Sequence, residues 1–83
     1  MGKISFGKNK NVISKKLKLC RIKNELTQKE LAAKMQTMGV NLDQQMISKI
    51  ENNSRFVTDY ELACFCSILK VKAEDLLEGF DQE

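Results

Sequence analysis

Two tetrapeptides, Thr27-Gln28-Lys29-Glu30 and Thr58-Asp59-Tyr60-Glu61, constrain the fold of this chain more than any other feature. Each has the S/T-x-x-E form, in which the threonine and the glutamate each satisfy a backbone amide at a helix start. Asp43 marks a third start, because an aspartate oxygen in N-cap position accepts from an orphan amide. The 83 residues include no proline and four glycines, and 42% are apolar, so little interrupts helices between these signals. Valine, isoleucine and threonine never build the strict alternation of a strand, and no Asn-Gly or Asp-Gly hairpin turn occurs. The expectation is an all-α chain, a compact five-helix bundle around one core.

Taken in order, residues 1–11 have no sustained period and read as a flexible basic arm. A first helix is expected over residues 12–23, with Ile13, Leu17, Cys20 and Arg21 inward and Lys15, Lys16, Lys18 and Lys23 outward. Leu19 and Ile22 sit awkwardly on that wheel and either widen the buried stripe or face a partner. After the first capping box, Leu31, Ala32, Met35 and Met38 continue one face, and Gly39 suits a left-handed residue at the helix end. Val40 and Leu42 plug the core beneath the connection to the third helix. That helix has Met46, Ile47 and Ile50 as its apolar stripe. A fourth helix runs to residue 69, with Leu62, Phe65, Ile68 and Leu69 supplying core and Ala63, Cys64 and Cys66 filling smaller gaps. A last one spans residues 73–78, offers Leu76 and Leu77, and stops at Gly79. The domain is thus expected over residues 12–79, with a tail at 80–83.

The net charge of +3 hides an asymmetry. Residues 1–23 carry eight Lys or Arg and no acid, residues 24–55 four of each sign, and residues 56–83 two bases against seven acids. A basic front end suggests a polyanionic partner, since phosphate contacts supply most sequence-independent affinity for nucleic acid. It serves equally as a solvated tail. No apolar run approaches the roughly 20 residues that span a bilayer, and there is no signal-peptide pattern, so a cytoplasmic protein is expected. Cys20, Cys64 and Cys66 read as small buried hydrophobes of a reducing compartment. Without histidine, a phosphate-cradling glycine loop or a suitable carboxylate pair, an enzyme is not expected, and no cofactor is implied. On a helix Cys64 and Cys66 point about 200° apart, which argues against a shared metal ion.

Gln44, Gln45, Ser48 and Lys49 fall largely off the apolar stripe of the third helix. A glutamine can pair bidentately with an adenine edge, and a lysine can reach guanine acceptors or a phosphate. The same side chains would also make an ordinary polar surface. What tips the balance is the order of signals: Leu26-Thr27-Gln28-Lys29-Glu30-Leu31-Ala32, then Ile47-Ser48-Lys49-Ile50-Glu51-Asn52, then Tyr60-Glu61-Leu62, then Val71 and Leu76-Leu77. Together they resemble the Cro/C1-type helix-turn-helix family of phage repressors and bacterial regulators, across residues 12–78.

The resemblance implies a lambda repressor-like five-helix domain whose second and third helices form the motif, the third docked in the major groove. It implies base reading by Gln44, Gln45 and Lys49. Gln28, Asn53, Ser54, Arg55, Lys15 and Lys16 would contact the DNA backbone or brace the reading helix, and Arg21 and Glu51 would form a structural ion pair. Met46 is placed either at a thymine methyl or in core packing. The implied partner is double-stranded DNA with a roughly palindromic operator, bound by a homodimer that represses transcription, with Leu77 and Phe80 as candidate dimer contacts. The alternative is a protein-interaction module, such as the antitoxin of a toxin–antitoxin pair, with the acidic carboxyl-terminal third as a docking face. One departure bears on all of this: the usual motif turn is three or four residues, and residues 36–42 add about five. An extra turn of the second helix through Gln36-Thr37-Met38 would absorb most of that length and preserve the pose of the reading helix; an inserted loop would instead disturb the groove geometry and the base reading of Gln44 and Gln45.

Overall fold

The computed structural model describes residues 9–77. Within them the chain forms α1 (Ser14–Lys23), α2 (Gln28–Thr37), α3 (Gln44–Glu51), α4 (Asp59–Leu69) and α5 (Ala73–Leu76), and no strand. Both capping boxes form in full. The Glu30 amide donates to Thr27 Oγ1 at 3.0 Å and the Thr27 amide to Glu30 Oε1 at 2.8 Å; Thr58 and Glu61 do the same at 3.2 and 3.0 Å. Asp43 caps α3 through the Met46 amide at 2.9 Å. Lys72, which has no acceptor in its side chain, precedes α5, and there Asp75 Oδ2 accepts from the Lys72 amide instead.

The helices end as they begin, with their orphan groups satisfied locally. After α1, α2 and α3 the chain turns through Glu25, Gly39 and Asn53, all at positive φ. The two bonds of a Schellman motif follow each time: Leu26 N to Arg21 O and Glu25 N to Ile22 O, Val40 N to Met35 O and Gly39 N to Gln36 O, Ser54 N to Lys49 O and Asn53 N to Ile50 O.

One core joins the elements: Leu17, Leu31, Met35, Leu42, Ile47, Ile50, Phe65 and Leu76 are fully buried, with Ile13, Ala32, Val40 and Leu69 nearly so. Helix α3 packs on α2 and α1, and α4 packs on α2 and α5. Two expected core positions are exposed, and Cys20, Cys64 and Cys66, expected to be buried, are half-buried at the edge of the core. Met38 is 45% exposed, because α2 ends at Thr37 and Met38 is already the cap where the chain turns. Ala63 is exposed on the outer face of α4, where no gap needs filling. Leu19 and Ile22, ambiguous in sequence, are exposed at 61% and 53%. The expected stop at Gly79 and the contact residue Phe80 lie outside the described residues.

Candidate nucleic-acid interface

The long connection between α2 and α3 is the first question for any reading surface. Helix α2 runs on through Gln36 and Thr37, as its length required, and Gly39 at φ +84° reverses the chain. Val40 and Leu42 then anchor the connection in the core, and Gln36 Nε2 donates to the Leu42 carbonyl at 3.0 Å. Helix α3 therefore enters at a fixed angle, seated on α2 by Ile47 and Ile50.

Three side chains from three helices hold α3 in place. Arg21 donates from Nε to Glu51 Oε2 at 2.7 Å and from Nη2 to Glu51 Oε1 at 3.1 Å. Its remaining donor, Nη1, reaches the Leu26 carbonyl at 2.8 Å, in the turn before α2. Gln28 Nε2 donates to Glu51 Oε1 at 3.0 Å, so α1 and α2 converge on the last residue of α3. The Glu51 side chain is 2% exposed and that of Arg21 11%. A fork-shaped guanidinium suits this bidentate role as an ammonium would not.

The carboxyl-terminal end of α3 is braced as closely. Asn53, in the left-handed conformation asparagine tolerates, accepts at Oδ1 from the amides of Lys10 and Asn11, and its Nδ2 donates to Asn9 Oδ1. Asn11 returns two bonds from Nδ2, to the Ile50 carbonyl at 3.1 Å and the Arg55 carbonyl at 3.0 Å, while its Oδ1 accepts from the Ile13 amide. Residues 9–11, the end of the expected arm, are thus tied to α3; residues 1–8 lie outside the described residues. Ser54 Oγ donates to the Lys49 carbonyl. The backbone amides of Asn53 and Ser54 are spent inside the α3 end turn, so of the two roles expected for these residues the geometry favours bracing over a phosphate grip.

Arg55 differs from a free phosphate-seeking cation. Its Nη1 donates to Glu61 Oε1 at 2.9 Å and to the Phe56 carbonyl at 2.8 Å, and its Nη2 to Glu61 Oε2 at 3.2 Å. Burial pushes the Glu61 carboxyl up, but the Arg55 bonds, the Thr58 amide and the Arg55 charge outweigh it, leaving the pKa below the ordinary value. A depressed native pKa means that this stabilisation is present above the unfolded value, roughly 4.3 for glutamate, and is lost as pH falls through the native one. Glu61→Gln is therefore expected to cost about 1.5–3 kcal/mol at pH 7, by leaving Arg55 without its counter-charge. That deficit should shrink as the pH falls below the unfolded value and through the lower native one; urea denaturation at neutral and acid pH checks it. Sequence reasoning took Glu61 for a cap alone, and six residues separate it from Arg55. It missed Asn11 altogether, whose only local sign is an asparagine two residues ahead of Ile13, the spacing of an Asx turn.

What remains outward on α3 is polar and unengaged. Gln44, Gln45 and Lys49 are exposed, and no hydrogen bond or ion pair engages their side chains among the described residues. Gln45 and Lys49, four apart, lie on one line of α3. Met46 is half-buried against the core, in keeping with its packing role. Lys15 is exposed on the first turn of α1, whereas Lys16, also expected outward, is half-buried and already engaged within the fold. Among the described residues no cluster of three or more His, Cys, Asp or Glu could hold a metal ion, and no helix is long and apolar enough to cross a membrane. Burial, followed by the nearby Asp75 and Cys20, pushes the Cys66 thiol up, as suits a packing role.

A third helix with exposed amides and a lysine on its outer face, packed on a capped second helix, is the arrangement of a helix-turn-helix. A helix-turn-helix family model matches residues 17–76, from within α1 to the end of α5. The chain belongs to the Cro/C1-type helix-turn-helix family, a family of DNA-binding transcription regulators. Neither the curated proteins nor the solved structures held a significant match to it.

Proposed function

We propose that this chain is a sequence-specific repressor that acts by occupying a DNA operator as a homodimer in the cytoplasm. The observation that carries the reading is the contrast on α3: Arg21, Gln28 and Asn53 fix the helix, while Gln44, Gln45 and Lys49 are left free on its outer face. Such a helix meets base edges without first having to order itself. A two-fold dimer would set two copies of α3 in successive major grooves, giving a roughly palindromic site with half-sites about 10 base pairs apart.

The dimer reading draws on a second surface. An apolar groove of about 410 Å³ is lined by Val12, Phe56, Val57, Leu62 and Leu77 among others, and Phe56 and Tyr60 stand 67% and 59% exposed nearby. Aromatic side chains in that setting are typical interface anchors. A protein partner other than a second copy is the alternative, favoured by Leu19 and Ile22, which face outward three residues apart on α1.

The backbone contacts have a distinct signature. Lys15 and Lys16 at the start of α1 are assigned to phosphates, and Gln28, Asn53, Ser54 and Arg55 chiefly to holding α3. Lys15→Ala is expected to lower affinity for operator and random duplex alike and to flatten the slope of log K against log salt by about 0.9 per site. An unchanged slope in a salt titration would remove Lys15 from the interface. Arg55→Ala, by contrast, should lower stability more than it alters the slope, since Glu61 already neutralises that charge.

A further inference from the structure

We propose that Asn41 is an additional specificity-determining residue, reading an adenine edge at the outer flank of each half-site; the inference rests on α3 as the reading helix. Its side chain is exposed, while its neighbours Val40 and Leu42 are 5% and 0% exposed. The Leu42 amide donates to the Val40 carbonyl at 2.9 Å, closing a three-residue turn with Asn41 at its apex. The Leu42 carbonyl accepts from Gln36 Nε2, and the next residue, Asp43, caps α3. The chain is thus pinned on both sides of one projecting carboxamide, two residues ahead of the cap and three ahead of Gln44.

Nothing within the fold uses that carboxamide. No hydrogen bond engages the Asn41 side chain among the described residues, although a shallow depression lined by Gln36, Gly39, Val40 and Asn41 lies open beside it. Nor does the backbone call for asparagine here. The described residues at positive φ are Glu25, Gly39, Asn53 and Lys70, and Asn41 is not among them.

Charge decides between base and phosphate. Asp43 is exposed two residues away and carries a carboxylate, which repels a phosphate approaching this edge. Asparagine matches the N6 donor and N7 acceptor of adenine bidentately, a contact that needs no positive charge. The lengthened connection therefore becomes an extension of the reading surface, placed just ahead of the amides of Gln44 and Gln45.

Selection of bound duplexes from a random pool by wild type, Asn41→Ala and Gln44→Ala tests this. Wild type should enrich adenine at a flanking position by about tenfold. Asn41→Ala should lose that preference alone, keep the positions that Gln44→Ala loses, and unfold at the wild-type temperature. A full wild-type motif from Asn41→Ala, or a uniform loss of affinity for every sequence, would overturn the assignment while leaving α3 as the reader. A pool without enrichment by the wild type would overturn both.

Discussion

Glu51→Ala is expected to destabilise the domain by about 3–5 kcal/mol, a large share of the stability of so small a protein. The Glu51 side chain is 2% exposed and accepts from Arg21 twice and from Gln28 once. Removing it strands a guanidinium that is 11% exposed, with only the Leu26 carbonyl left to it, and leaves the Gln28 amide without an acceptor. The three contacts join α1, α2 and α3, so the loss should appear both in urea denaturation at neutral pH and as weaker binding to every duplex. Replacing the pair together, Arg21→Met with Glu51→Leu, should recover much of the stability, because no buried charge then remains unpaired. A loss below about 1 kcal/mol in Glu51→Ala would mean that the pair behaves as a solvent-screened surface bridge.

Gln44→Ala combined with Gln45→Ala should reduce the preference for the operator over random duplex by about a hundredfold or more, since each bidentate contact discriminates by about 1–3 kcal/mol. Neither change alters net charge, so affinity for random duplex and its salt slope should hold. Stability should hold as well, because both side chains are exposed and alanine is the better helix former. Competition binding at fixed salt reads the ratio directly. Equal losses on operator and random duplex would mean that the glutamines contact the backbone or merely support the helix.

Much of this fold was legible in local chemistry. Capping boxes are complete within four residues, and the apolar stripes of α1, α2 and α3 repeat within two turns, so helix starts and most of the core could be read directly. The lengthened α2 was one of two ways to absorb residues beyond the family's usual motif spacing, the other being a loop, and Gly39 marked where such a helix would stop. Met38 was misplaced because a periodic pattern carries no record of the turn that ends it. Arg21 and Glu51 were found through family resemblance, since 30 residues separate them and no local rule pairs them. Asn11 and Asn53, which lock the amino-terminal segment to the end of α3, are polar residues in turn-like stretches, and the bonds that do so run across 39 to 44 positions. Arg55 lies only six residues from Glu61, but nothing in that spacing, across the turn into α4, marks the two as partners.

Whether α3 reads sequence is tested by selection of bound duplexes from a random pool at moderate salt. Wild type is expected to enrich a palindrome with half-sites about 10 base pairs apart, and the Gln44→Ala, Gln45→Ala double variant to lose the positions that the two glutamines read. Binding by the wild type with no enriched sequence would contradict the account, reducing the interaction to phosphate attraction and turning the search toward a protein partner.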